Sequence, residues 1–145
     1  MLGSEVNFEG FIPLDEDQGI QEADKIVVVG RGIKKAENIT IARELATSLG
    51  AALGATRDVV DRGWLSYPHQ VGLSGKTITP KLYIGLGVSG SIQHLAGMQT
   101  AETIIAVNND PDAQIFKVAD FGIVGDIFEV VPNLIQRLKG SATHQ

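Results

Sequence analysis

Ile26 to Val29 form an unbroken apolar run that ends at Gly30-Arg31-Gly32. A β-branched run without polar alternation predicts a strand buried on both faces, as in a parallel sheet. From Asn38 the period changes: Ile41, Ala42, Leu45, Ala46 and Leu49 recur at helical spacing, with Asn38 in the N-cap position and Gly50 as the stop. Ala51 to Ala55 form a short stretch of small residues that leads into Thr56-Arg57. The segment 61–76, rich in Gly, Pro and polar residues, reads as a long loop of the kind that commonly carries function. Further strands are predicted at Leu82–Leu86, Thr103–Val107 and Phe121–Val124. Ile92, Leu95 and Ala96 line a short helix weakened by Gly97, and Asn108-Asn109-Asp110-Pro111 marks a turn. Ile127, Val130, Val131, Leu134, Ile135 and Leu138 form the face of a last helix, which Pro132 is expected to kink or to start in its main part. Strands alternating with helices imply an α/β fold: a doubly wound, mainly parallel sheet with helices on both faces, and ligands beyond the carboxyl ends of the strands.

Composition narrows the class. The chain has 145 residues, 43% of them apolar, which suffices for one domain with its own core. No window approaches a membrane span, and no basic-then-apolar leader opens the sequence. The absence of cysteine excludes disulfides, thiolate metal sites and thiol catalysis. Seven acids and no base fall in the first 24 residues, so the total of −5 leaves the remainder slightly positive. That balance argues against nucleic-acid binding, which calls for a basic patch. Residues 1–23 read as an acidic leader or linker, 24–140 as the folded domain and 141–145 as a tail.

Two glycine patterns carry candidate chemistry. Gly85-Leu-Gly87-Val-Ser-Gly90 follows a strand, opens a helix and has Asp110 twenty residues on, so it meets the dinucleotide fingerprint in form. Its physical content is a cradle for phosphate, because free backbone N–H groups and a helix start attract an anion. A nicotinamide cofactor, another nucleotide cofactor and purely structural glycines all remain open on this pattern. Gly72-Leu-Ser-Gly75-Lys76-Thr77 ends like a P-loop, but Gln70 replaces its first glycine and no helical run follows. Around these patterns Arg31, Thr56, Arg57, Ser74, Ser89, Gln93, His94, Asn108 and Asp126 all fall in or beside the predicted connections. Their joint placement on the ligand side is a stronger signal than any one of them, since Asp126 alone is explained as a helix cap.

Gly30-Arg31-Gly32, Thr56-Arg57, Gln70-Val-Gly72-Leu-Ser74-Gly75-Lys76, Gly87-Val-Ser89-Gly90-Ser-Ile-Gln93-His94-Leu-Ala-Gly97-Met, Asn108-Asn-Asp110-Pro111 and Ala119-Asp120-Phe-Gly122 follow one another in a recognisable order. Together they resemble the electron-transfer flavoprotein alpha subunit in its carboxy-terminal, Rossmann-like FAD-binding domain. The resemblance covers roughly residues 23–139. It implies FAD as cofactor, with Arg31 and Ser89 near the pyrophosphate, Gln93 and His94 beside the ribityl chain and isoalloxazine, and Asn108 and Asp126 at the adenosine end. It implies Arg57 against the isoalloxazine and Ser74 as the hydroxyl that hydrogen-bonds flavin N5, with Thr56, Gln70, Gly72 and Gly87 completing the site. Thr56 stands where serine is common and Leu73 where glutamine is common; both hydroxyls, of Thr56 and Ser74, are retained.

The implied function is electron carriage from flavin dehydrogenases to a quinone oxidoreductase or another acceptor, with a beta subunit as partner and no membrane insertion. The location implied is cytoplasmic in a bacterium and the mitochondrial matrix in a eukaryote. A cationic arginine or an imidazole donor suits this work, because reduction places negative charge near flavin N1 and O2. The family chain is about twice this length, so a fragment or a shortened relative is expected. The competing readings are a nicotinamide-dependent enzyme and a non-catalytic nucleotide-binding module.

Overall fold

The computed structural model describes residues 20–144, with side chains up to Leu138. Most of the acidic leader lies outside the described residues. Ile20, within the stretch read as leader, is 2% exposed and packed into the core, so the folded domain already includes it. At the other end the last helix continues through residues expected to form a tail.

Five strands, β1 (Lys25–Val29), β2 (Ala52–Ala55), β3 (Leu82–Leu86), β4 (Thr103–Asn108) and β5 (Phe121–Val124), form one sheet in the order β2-β1-β3-β4-β5. Every neighbouring pair is parallel. The order reverses between β1 and β3, and a sheet of this kind leaves a crevice outside the carboxyl ends of its strands at that point. The helices are α1 (Ile39–Leu49), α2 (Arg57–Asp61), α3 (Ile92–Met98) and α4 (Ile127–His144).

The period of two in a strand sorts the apolar run at 26–29 between two cores. Val27 and Val29 join Ile84, Leu86 and Val107 beneath Ala42 and Leu45 of α1 and Val131 and Ile135 of α4. Ile26 and Val28 face the other way, with Tyr83, Ile104 and Ala106, against Met98 of α3, Ile78 and Ile115. The sheet is therefore covered on both faces.

β2 carries no strand signal in the sequence, since Ala-Leu-Gly-Ala lacks β-branched and aromatic residues. Pairing with β1, from Ile26 opposite Ala52 to Val29 opposite Ala55, makes it a strand. Small residues suit the position: a Cβ on Gly54 would lie 3.0 Å from Ile26 Cδ1 and 3.2 Å from Val71 Cγ2. Gly50 ends α1 in the left-handed conformation, with φ 66°. Asn38 precedes α1 but does not cap it with its side chain; Asn38 Nδ2 instead donates to the Ile33 carbonyl at 2.8 Å. Pro132 sits inside α4 rather than at its start.

The 61–76 segment is tied down at many points. It contains a short 3₁₀ turn at Tyr67–His69 and isolated bridges from Ala55 to Gln70 and from Val71 to Lys76. Leu73 N–H donates to the Gln93 carbonyl at 3.1 Å, and Ile78 N–H to the Gly97 carbonyl at 2.8 Å. Gly97 thus has a role beyond weakening α3, because a Cβ there would lie 2.6 Å from Gly72 Cα. We expect Gly97→Ala to destabilise the domain by about 1–3 kcal/mol, the usual cost of overpacking. Helix propensity alone would stabilise it by up to about 1 kcal/mol. The sign of the change in a urea unfolding curve separates the two.

Candidate functional site

The loops after β1 and β3 meet backbone to backbone at the switch point. Gly30 N–H donates to the Leu86 carbonyl at 2.9 Å, and Gly32 N–H to the Gly87 carbonyl at 3.0 Å. A Cβ on Gly32 would lie 2.7 Å from Gly87 Cα, and Gly87 itself has φ 69°, so both positions require glycine. Above this floor opens a cleft of about 520 Å³. A smaller one of about 120 Å³ adjoins it, sharing Gly32, Lys34, Gly87 and Asn108.

The cleft gathers the sequence candidates from separate loops. Arg31, Thr56, Arg57, Gly72, Ser74, Gly87, Ser89, Gln93, His94 and Asn108 all line it. Asp126 lines the smaller cleft, where its Oδ1 also accepts from Phe128 N–H at 2.9 Å, as a helix cap should. Gln70 lines neither. It is 3% exposed, and its Nε2 donates to Ser74 Oγ at 2.9 Å, an arrangement that leaves the serine hydroxyl proton available to a ligand. Tyr67 Oη donates to the Ser74 carbonyl at 2.9 Å, which fixes the same residue from a second side.

Asn108 braces the neck between the clefts. Its Nδ2 donates to the Val88 carbonyl and its Oδ1 accepts from Asp110 N–H, both at 2.9 Å. Arg31 faces Asp58 at 3.6 Å, and Arg57 faces Asp61 at 3.4 Å; both pairs are solvent-exposed and so add little stability. Thr56 Oγ1 is buried without a hydrogen-bond partner and borders the cleft. A buried hydroxyl left this way has a cost that a polar ligand atom removes.

His94 lines the cleft with its ring held by the protein. It is 4% exposed, with Nδ1 3.1 Å from the Val71 carbonyl oxygen and Nε2 2.8 Å from Tyr83 Oη. A carbonyl only accepts, so the Nδ1 proton is donated to Val71 and the Tyr83 hydroxyl donates to Nε2. Both ring nitrogens are committed within the protein, and no imidazole N–H is left to donate to a ligand in this arrangement. Burial pushes the His94 pKa down to about 4, against a smaller opposing effect of the Val71 carbonyl, and pushes the Tyr83 hydroxyl well up. His94 is therefore a neutral wall of the cleft, and its charged neighbours are the arginines. Its backbone N–H is held by Ser91 Oγ, the N-cap of α3, at 3.3 Å.

The sequence reading passed over Lys34, Asp58, Ser91 and Ala113 among the lining residues. Lys34 sits three residues after Arg31 in the same loop, and Ser91 lies inside the Ser-Gly-Ser-Ile-Gln-His segment, so proximity to a motif was the available signal. The dinucleotide fingerprint lies on the third strand, whereas a nicotinamide fingerprint belongs to the first βα turn. Asp110, its acidic partner, accepts from Asp112 N–H at 2.9 Å through Oδ1. The P-loop-like residues open no helix, since the chain runs from Thr77 to β3 without one.

A parallel 2-1-3-4-5 sheet with a polar, glycine-floored cleft at its switch point defines a doubly wound α/β domain with its ligand crevice at that point. Residues 19–99 match the family described as the electron transfer flavoprotein FAD-binding domain. The chain belongs to that family. It is 56% identical over 83% of its length to the electron transfer flavoprotein subunit alpha of Thermoanaerobacterium thermosaccharolyticum, covering 36% of that protein. It is 51% identical to the subunit of Mycobacterium leprae over 87% of this chain and 40% of that protein. With the mitochondrial subunit of Oryza sativa subsp. indica it shares 51% identity, over 85% of this chain and 34% of that protein. The chain thus spans well under half the length of these curated relatives. A solved Sir2 homologue, in complex with ADP-ribose, has the same fold with TM-score 0.54 and 12% identity, covering 94% of this chain and 99% of that one.

The depressed pKa of His94 makes stability depend on pH. Unfolded, the ring takes up a proton as pH falls through about 6.5; folded, it stays neutral until about 4. The unfolded state binds more protons in that window, so the stabilisation present at pH 7 is lost as pH falls from about 6.5 to about 4. At 1.36 kcal/mol per unit the loss is on the order of 3 kcal/mol. Urea unfolding of the wild type and His94→Gln should show their stability difference shrinking by about that amount between pH 7 and pH 4, and a constant difference would contradict the neutral, buried ring.

Proposed function

We propose that the chain binds FAD across the two joined clefts and acts as the FAD-binding domain of an electron-transfer flavoprotein alpha subunit. On this reading it works with a beta subunit, takes electrons from flavin dehydrogenases and delivers them to a quinone oxidoreductase or another acceptor. The observation that carries the reading is the convergence of Arg31, Thr56, Arg57, Ser74, Ser89, Gln93 and His94, from loops that follow β1, β2 and β3, on one cleft at the switch point. The residues fit the group: Thr56 Oγ1 lacks a partner, the Ser74 proton is free, and two arginines stand at the rim.

Bound FAD supplies the redox chemistry; the polypeptide supplies orientation and charge. Arg31 and Ser89 hold the anionic middle of the ligand over the glycine floor. Arg57, paired with Asp61 in an exposed ion pair, would supply positive charge against the ring as it is reduced. Ser74 would donate a hydrogen bond to a ring nitrogen, its oxygen already held by Gln70 Nε2. Asn108 and Asp126 border the adenosine end. His94 contributes an uncharged surface at the ring, so the positive potential there comes from Arg57. The reaction asks no acid, base or nucleophile of the protein.

The deciding measurement is the absorbance spectrum of the chain after addition of FAD and removal of the excess, with and without a beta subunit. Retention of flavin bands near one equivalent is the expected result; loss of all flavin in both conditions would remove the assignment. Arg57→Ala should leave the unfolding midpoint within the range of a surface substitution, about ±0.5 kcal/mol. In the flavin-loaded protein it should lower the one-electron potential by ~59 mV or more, the equivalent of tenfold. Spectroelectrochemical titration reads this shift, and an unchanged potential would remove Arg57 from the role.

A further inference from the structure

Lys34 is the only non-glycine residue with positive φ among those described, at φ 77° and ψ −41°. Lys35 N–H donates back to the Ile33 carbonyl at 3.0 Å, which makes Lys34 the central residue of a three-residue turn of the rare, strained kind. A β-carbon in this region costs free energy that glycine would avoid. The turn is held from both sides: Ile33 is fully buried in the core with α1, and its carbonyl also accepts from Asn38 Nδ2 at 2.8 Å. Asn38 therefore fixes the turn rather than capping the helix, and the strain is built in by its surroundings. Strain held this way is a pointer to function.

The position of the residue supplies the second observation. Lys34 lines both the larger and the smaller cleft, at their junction with Gly32, Gly87 and Asn108. Of the cations that line the larger cleft, Arg31 is drawn to Asp58 and Arg57 to Asp61, whereas Lys34 makes no ion pair with any described residue. Among the described residues it is thus the one cation lining the larger cleft that is in no ion pair. The glycines around it bring backbone close to whatever occupies the neck and exclude a competing side chain.

Resting on the reading of the clefts as a dinucleotide site, we propose that Lys34 is a phosphate-binding residue, held in a strained turn so that its ammonium meets the phosphate group next to the adenosine at the neck between the clefts. Glycine at this position would relax the turn but would remove the charge. Lysine in this conformation keeps the charge at the expense of the strain.

Calorimetric titration with ADP and, separately, with adenosine tests the assignment on the intact chain and its Lys34→Gln, Lys34→Gly and Lys34→Arg variants. Loss of one charge-assisted contact should weaken ADP binding by about tenfold or more in the Gln and Gly variants. Adenosine affinity should stay within about twofold, the Arg variant should recover most of the ADP affinity, and the Gly variant should melt no lower than the wild type. Equal losses for ADP and adenosine would assign Lys34 a purely structural part and overturn the proposal, as would unchanged ADP affinity in Lys34→Gln. A wild-type chain that binds neither ADP nor FAD would overturn the dinucleotide reading itself, and this assignment with it.

Discussion

The site depends on two loops that pack with no side chain between them. β1 and β3 run side by side, and the chain leaving each must turn away at once if a crevice is to open. Gly30 and Gly32 on one side and Gly87 on the other allow the backbones to touch, and their hydrogen bonds tie the loop after β1 to the end of β3. A methyl group at Gly32 would collide with the facing backbone rather than with a flexible side chain. Both clefts share this floor, as do the residues of the neck, Lys34 and Asn108.

A similar close approach fixes the outer wall. Gly72 and Gly97 bring the loop after α2 against α3, and from there the support is a chain of polar contacts. Tyr83, on a buried strand, donates to His94; His94 donates to the Val71 carbonyl; the loop continues through Gly72 to Ser74, which Gln70 and Tyr67 hold. The wall is thereby referenced to the sheet itself. Hydrogen bonds of this kind are worth more inside the protein than in water, provided every member has its partner. Thr56 Oγ1 is the buried polar atom left without a partner, on a residue that lines the cleft.

Charge is distributed in the same way. The arginines at the rim are balanced by Asp58 and Asp61 in exposed pairs that a stronger partner can displace at little cost. Two buried titratable groups by the cleft, His94 and Tyr83, are neutral because burial penalises their ions. Field in the cleft therefore comes from its edge and from the neck, where Lys34 stands.

By itself the sequence determined four of the five strands and the two longer helices packed on them. The run at 26–29, the strands at Leu82, Thr103 and Phe121 and the two long amphipathic helices are local patterns, and local sterics and burial suffice to decide them. The order of motifs along the chain also marked most of the residues that line the cleft, because glycines and polar residues at strand ends have few other uses there. Tertiary structure alone decided β2, whose small residues become a strand only beside β1, and the task of Asn38, whose amide is drawn to Ile33 instead of the helix start. It also decided the tautomer of His94, set by a tyrosine eleven positions away and a carbonyl twenty-three away, and the strained turn at Lys34. Each of these depends on which groups packing leaves within hydrogen-bonding reach, and the spacing of residues along the chain carries no signature of that.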